Sequence, residues 1–286
     1  MAKLSGNKKK SFLDEKLVAQ LKAVRPVICT GNGKGGVGKS THAFHIAAAC
    51  TEAGLKALLI DDDEHITLTA CGSTDPELPD TAFSSDLFTE EGLSKPIMEM
   101  PGMPGCYFLP RDHRLEDINS TPLESGVVLY PHNHVQKLRD EFDVIIIDSP
   151  PGKGNLQQAT FLCATTAAMI TELSAISVNG LVTAITMTES FAALLNEGEE
   201  ETLYRTPKFV IVPNKYKPER DREREQYETL VSYDLLMSGP VTSRSPFLKA
   251  TDDLVPVWKF RDGNARIAAK EVKAAIEFIL NEAVKA

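Results

Sequence analysis

Short apolar runs recur along the chain, and stretches with helical spacing lie between most of them. The runs are Pro26-Val27-Ile28-Cys29-Thr30, Ala57 to Ile60, Cys106 to Leu109, Val144 to Ile147, Ala167 to Thr171 and Phe209 to Val212. Runs this short and uniformly apolar predict strands buried on both faces. The intervening pattern predicts helices over His42 to Ala53, Val135 to Phe142, Ile176 to Leu195, Glu219 to Val231 and Asn264 to Val284. This alternation is that of an α/β protein, with a mainly parallel, doubly wound sheet and helices on both faces. Residues 1–10 read as a disordered basic tail. Ser11 is placed to cap a helix running to about Val24, with Leu13, Leu17, Leu21 and Val24 on one stripe. Such a stripe suits packing on the protein's own surface better than a partner contact. Residues 72–105, rich in Pro, Gly, Ser and acids, predict a surface path with one or two short helices. A short segment near Pro240-Val241 precedes the last helix. With no repeat or linker, the expected division is 1–25, a tail and short helix, and 26–286, one domain.

Composition narrows this only modestly. With 42% hydrophobic and 25% charged residues, the chain has the make-up of a soluble globular protein. No apolar run approaches the roughly 18–20 uninterrupted residues of a membrane span. The basic start (Lys3, Lys8, Lys9, Lys10) leads into a charged amphipathic stretch and not a secretory core. Cys29, Cys50, Cys71, Cys106 and Cys163 are scattered singly, which fits a reducing cytoplasm and no disulfide framework. A net charge of −9 argues against a constitutive DNA binder; DNA affinity would need a local basic patch.

The chemistry concentrates in Gly33-Lys34-Gly35-Gly36-Val37-Gly38-Lys39-Ser40-Thr41, a glycine, four residues, then Gly-Lys-Ser. Glycines let backbone N–H groups close on a polyphosphate, Lys39 adds a charge for the β- and γ-phosphates, and the Ser40 hydroxyl suits Mg²⁺. The loop lies between a predicted strand and a predicted helix, so the helix N-terminus points at the phosphates. Asp61-Asp62-Asp63, Asp148 to Gly152 and Pro213-Asn214 also follow strand candidates directly, so four polar strand ends should meet in one crevice. Asp148, after four apolar residues, is placed as a Walker B acid holding Mg²⁺ opposite Ser40. Ser149-Pro150-Pro151-Gly152 makes a stiff turn able to sense a γ-phosphate. Asp61 is the candidate for orienting the attacking water, and it joins Ser40 and Asp148 as a metal candidate. Asp63 is a weaker candidate, for placing a loop or an outer water. His65 lacks a second ligand at metal spacing, and His132-Asn133-His134 reads as a surface pair at a helix start.

These residues carry a family resemblance. The loop resembles the deviant Walker A motif of the ParA/MinD ATPases. Asp61-Asp62-Asp63 is similar to the family's Asp-x-Asp, and Asp148-Ser149-Pro150-Pro151 to its Asp-Ser/Thr-Pro-Pro. Ser177 to Leu181 resembles its Gly-Leu helix start, and Pro213-Asn214 the strand end whose Asn reads adenine. Glu64-His65 departs from the usual Pro-Gln, which bears on the shape of the first switch loop. The resemblance implies a P-loop ATPase with ATP/ADP and Mg²⁺ as cofactors. It also implies a homodimer through shared ATP, in which Lys34 contacts the other subunit's phosphates as a trans-acting cation.

The chain resembles the small plasmid or chromosome partition members, which lack a helix-turn-helix domain. It lacks the Cys-x-x-Cys of the iron–sulfur carriers and the basic membrane helix that ends the septum-positioning relatives. The resemblance then implies a centromere-binding (ParB-like) adaptor, non-specific double-stranded DNA as a partner, a cytoplasmic, nucleoid-associated location and no stable membrane association. Arg244, Lys249, Lys259, Arg261 and Arg266 have few acids nearby in sequence and are the DNA candidates. The charged run Glu219 to Glu225 reads as a solvated helix with internal ion pairs. Alternatives are an ATPase positioning a non-DNA cargo, a conjugation accessory protein, a MinD-like membrane-associated ATPase, or a transferase resembling dethiobiotin synthetase.

Overall fold

Each apolar run of the sequence is a strand of one sheet in the computed structural model, which describes residues 11–63, 81–122, 126–152, 154–198, 201–233 and 235–286. In chain order the elements are α1 (Glu15–Val24), β1 (Val27–Gly31), α2 (Lys39–Glu52), β2 (Ala57–Asp61), β3 (Met98–Glu99) and β4 (Cys106–Leu109). There follow α3 (Tyr130–Leu138), β5 (Val144–Asp148), α4 (Asn155–Cys163), β6 (Thr166–Thr171), α5 (Ala175–Leu195) and β7 (Lys208–Pro213). The chain ends with α6 (Asp221–Ser232), α7 (Pro246–Asp252) and α8 (Gly263–Ala283). The strand order is β3-β4-β2-β5-β1-β6-β7, parallel except for the β3–β4 pair. β1 therefore lies between β5 and β6, and the polar ends of β2, β5, β1 and β7 share one edge of the sheet.

The pleat sorts the strand side chains into two cores. Ile28, Leu59, Ile146, Ala168, Ile170, Val210 and Val212 face α2, α8 and α1. Val27, Cys29, Leu58, Ile60, Ile145, Ile147, Ala167 and Met169 face the other way, toward α3, α4 and α5. Alternate residues of one strand thus bury in opposite layers, which is why these runs show no polar period.

Several boundaries differ from the sequence reading. The first helix is capped by Asp14, whose carboxylate accepts from Leu17 N at 2.7 Å, and not by Ser11. Leu13, Leu17 and Leu21 are buried in the layer that holds α8, so the stripe packs on the protein itself. α3 starts at Tyr130, with Pro131 preset for its first turn, and stops at Leu138. Phe142 lies beyond it, edge-on to Tyr107 and under the Lys56 ammonium. β3 and a buried 3-10 turn at Ser84–Phe88 lie within the segment read as surface wandering.

α5 is the one helix among the described residues whose length and hydropathy would allow it to cross a membrane. Here it is the crossover from β6 to β7, with Leu181 and Ala184 packed in the second core and Ile176, Val182 and Leu194 exposed. Thr, Ser and Asn interrupt its apolar residues, which is why the sequence shows no uninterrupted span.

Candidate functional site

The loop is held by the strand ends around it. Gly38 caps α2 at φ 104°, and a Cβ there would lie 2.4 Å from the Asn214 amide nitrogen, so the turn needs glycine on two counts. That amide donates to the Val37 carbonyl at 2.7 Å, tying the end of β7 to the loop. On the other side, a Cβ on Gly33 would come 3.2 Å from the Gly180 carbonyl, so the bare positions let the α5 helix start pack closely on the loop. Asn32 donates to Ile170 O at 2.8 Å, and its own oxygen accepts from Lys34 N at 2.9 Å. Gln157 donates to the carbonyls of Asn32 and Pro150, both at 3.3 Å, and so locks the Ser149-Pro150-Pro151 turn to the loop.

The acids gather below. Lys39 is buried with its Nζ 3.6 Å from Asp63 Oδ2. Asp61 and Asp148 are fully buried and directly paired in the β2–β5 register. Asp61 Oδ1 accepts from Asp63 N at 3.3 Å, whereas Asp62 turns away to accept from Thr160 at 3.1 Å. Asp148 Oδ1 accepts from Thr30 at 3.1 Å, and its Oδ2 is buried with no hydrogen-bond partner among the described residues. Burial first, and then the neighbouring Asp61, push the Asp148 carboxyl well above the usual range, with Lys39 and the Ser40 hydroxyl opposing. An orphaned carboxylate oxygen beside a hydroxyl is what a hard cation would satisfy, and Ser40, Asp148 and Asp61 fit Mg²⁺. No group of three or more His, Cys, Asp or Glu among the described residues forms a metal cage. Few protein ligands, completed by phosphate and water, is the usual manner of holding Mg²⁺.

A cavity of about 760 Å³ opens beside the loop, a size suited to a nucleotide. Ser40 and Thr41 line one side, and Ser243, Phe247 and Thr251 the other. The Thr41 and Thr251 hydroxyls, both in the lining, are hydrogen-bonded at 3.2 Å. Part of the lining belongs to α7, which sequence reasoning missed because seven residues beginning at Pro246 are too few to show a period.

Two further residues escaped the sequence reading. Glu172 directly follows β6; its Oε2 lies 2.6 Å from Lys34 Nζ and its Oε1 3.4 Å from Lys215 Nζ. Partial burial alone would raise this carboxyl, but the two lysines hold it below the usual range. Lys215, in the left-handed region at φ 54°, also donates to the Gly36 carbonyl. A carboxylate at a strand end next to the loop strand was the available signal.

The DNA candidates separate. Arg244 lines the cavity, donates to Asn264 at 2.9 Å and pairs with Glu271 at 3.6 Å, and Lys259 pairs with Glu52 at 2.6 Å. Acids distant in sequence are close in space, so these two are not the unpaired cations their local sequence suggested. Lys249 lies over the Phe260 ring, while Arg261 and Arg266 are exposed. The α6 ion pairs form as expected, Arg220 with Glu223 and Arg224 with Asp221. His132 and His134 are half-buried, bonded to the Leu162 and Thr89 carbonyls, and not a surface pair. Glu64 and His65 lie outside the described residues.

Comparison with known proteins agrees with this geometry. The chain is 27% identical to the Escherichia coli protein IncC over 271 residues, covering 89% of this chain and 69% of IncC. Its fold is similar to that of a Cyanothece McdA variant solved with ATP, at TM-score 0.73 and 17% identity, covering 90% and 96% of the two chains. It is also similar to a plasmid partition protein of Borrelia burgdorferi solved with AMPPNP, at TM-score 0.70 and 18% identity, covering 90% and 99%. The family model AAA_31, an AAA domain, matches residues 25–198, from the strand before the phosphate loop to the end of α5. The chain therefore belongs to the AAA_31 family, as an ATP-binding P-loop protein of the ParA/MinD type.

Proposed function

We propose that the chain is a Mg-ATP-dependent ATPase that dimerises around shared nucleotide and partitions plasmid or chromosomal DNA. The ATP dimer binds double-stranded DNA without sequence preference, and a centromere-binding, ParB-like adaptor stimulates hydrolysis. The observation that carries this reading is the pair of loop lysines in unlike settings. Lys39 is buried against Asp63, whereas the Lys34 side chain is 35% exposed and, among the described residues, paired with Glu172. A partly exposed cation on the phosphate loop, separate from the buried Lys39, supports a contact with a second copy's nucleotide.

In this reading Lys39 leaves Asp63 for the β- and γ-phosphates. Ser40 and Asp148 would hold Mg²⁺, which would supply neutralising charge for those phosphates. Asp61 orients the attacking water. Asn214, whose Nδ2 is committed to Val37, offers Oδ1 to the adenine amino group. Lys34 of one protomer stabilises charge developing on the partner's transferred phosphoryl group.

Arg261 and Arg266, doubled in a dimer, supply an exposed basic surface whose binding would fall steeply with salt. The internal pairing of Arg244 and Lys259 favours a second reading, a related ATPase positioning a non-DNA cargo. Affinity for random duplex DNA at low salt separates the two. A rise in Mg-ATP over Mg-ADP supports partition; equal, weak binding in both leaves the non-DNA reading.

A further inference from the structure

We infer that Glu172 is a positioning residue that holds Lys34 in its own subunit and so sets how readily ATP assembles the dimer. This rests on the shared-ATP reading above. Three facts carry it. Glu172 takes both lysines at once, with Lys34 at 2.6 Å and Lys215 at 3.4 Å. Lys215 in turn donates to the Gly36 carbonyl, so one carboxylate ties the β6 end, the β7 end and the phosphate loop together. Lys34 N is fixed separately, by Asn32, so the side chain can swing without the loop backbone moving.

The consequence follows from charge. With Glu172 in place, the Lys34 ammonium is neutralised in cis by a carboxylate of its own chain. To meet a phosphate of a second copy it must give up that carboxylate. Polyphosphate seated on the loop adds negative charge near Glu172, which lines the same cavity, and takes over part of the attraction for both lysines. The contact thus opposes assembly without nucleotide and yields once nucleotide is bound on both sides. Since Lys34 and Glu172 are partly exposed, at 35% and 26%, the contact is weak enough to exchange.

The test is the protein concentration at half-dimerisation in Mg-ATP, measured by light scattering for the wild type, Glu172→Gln and Glu172→Asp. The inference expects Glu172→Gln to dimerise at about two- to five-fold lower concentration, as loss of a contact of this exposure allows. Glu172→Asp, whose shorter side chain stretches the contact, should fall between. In a Lys34→Ala background, monomeric in this reading, Glu172→Gln should restore no dimer, because its gain comes only through Lys34; a merely structural contact would give no gain in assembly on substitution in the first place. A dimer unchanged or weakened by both substitutions, or a gain that survives Lys34→Ala, overturns the inference. A wild type that stays monomeric in Mg-ATP removes the shared-ATP reading itself, so the two failures are distinguishable.

Discussion

Lys34 and Lys39 sit five residues apart in one loop, and their surroundings give them different chemistry. Lys39 is buried beside Asp63, and phosphate would replace that partner. Lys39→Ala should therefore weaken ATP binding by about 10- to 100-fold, the worth of a charge-assisted contact, as measured with a fluorescent nucleotide. Asp61→Ala should keep the ATP dimer and lose hydrolysis, since the role proposed for Asp61 is to orient the water and not to hold the dimer; normal phosphate release would contradict that role. Gly38→Ala forces a side chain into the left-handed region and onto Asn214, and should lower stability by about 1–3 kcal/mol in urea unfolding.

His45 gives a pH signature from the same helix. Its Nε2 accepts from Val257 N at 3.1 Å, so Nδ1 carries the proton and donates to Thr41 O. Burial pushes its pKa down to about 4, with the Thr41 bond opposing and His42 adding to the shift. The unfolded imidazole, near 6.5, takes up its proton first as pH falls. The stability this neutral histidine contributes is thus complete above about pH 6.5 and is lost as pH falls toward 4. The unfolding free-energy difference between wild type and His45→Gln should shrink by about 2–3 kcal/mol from pH 7.5 to 4.5, and a difference constant with pH would contradict it.

At the level of elements, the strands were legible because burial on both faces leaves an unmistakable apolar run. Val144 to Asp148 shows this: four apolar residues fill two cores, and the fifth turns polar at the edge where the site lies. The phosphate loop was legible because its backbone geometry demands particular residues, glycine above all. What hid was set by tertiary contact. Glu172 carries no local sign that Lys34, far away in sequence, will reach it. Arg244 and Lys259 looked unopposed only because Glu271 and Glu52 lie elsewhere in the chain. α7 supplies part of the cavity lining yet is too short to show a period. α1 was visible as a stripe, and its packing gives a further prediction. Leu21, fully buried in the α8 layer, should cost about 2–5 kcal/mol on truncation to Ala, read from the shift in urea midpoint.

For the whole molecule, one sheet edge gathers the loop, the paired Asp61 and Asp148, and a cavity large enough for a nucleotide. Those features describe a chain that binds ATP. In the proposed function, what makes the nucleotide a switch is Lys34, held by Glu172 at 2.6 Å until a second copy offers phosphate. The net charge of −9 means that a single chain would bind DNA weakly, so any strong binding should appear only when two copies combine their basic surfaces. The most direct test is the molar mass by light scattering in Mg-ATP and in Mg-ADP, for wild type and Lys34→Ala. The account predicts twice the 31.3 kDa chain mass for wild type in Mg-ATP alone, and a single chain in the other three cases. A wild type that stays monomeric in Mg-ATP, or a Lys34→Ala chain that dimerises equally well, would contradict it.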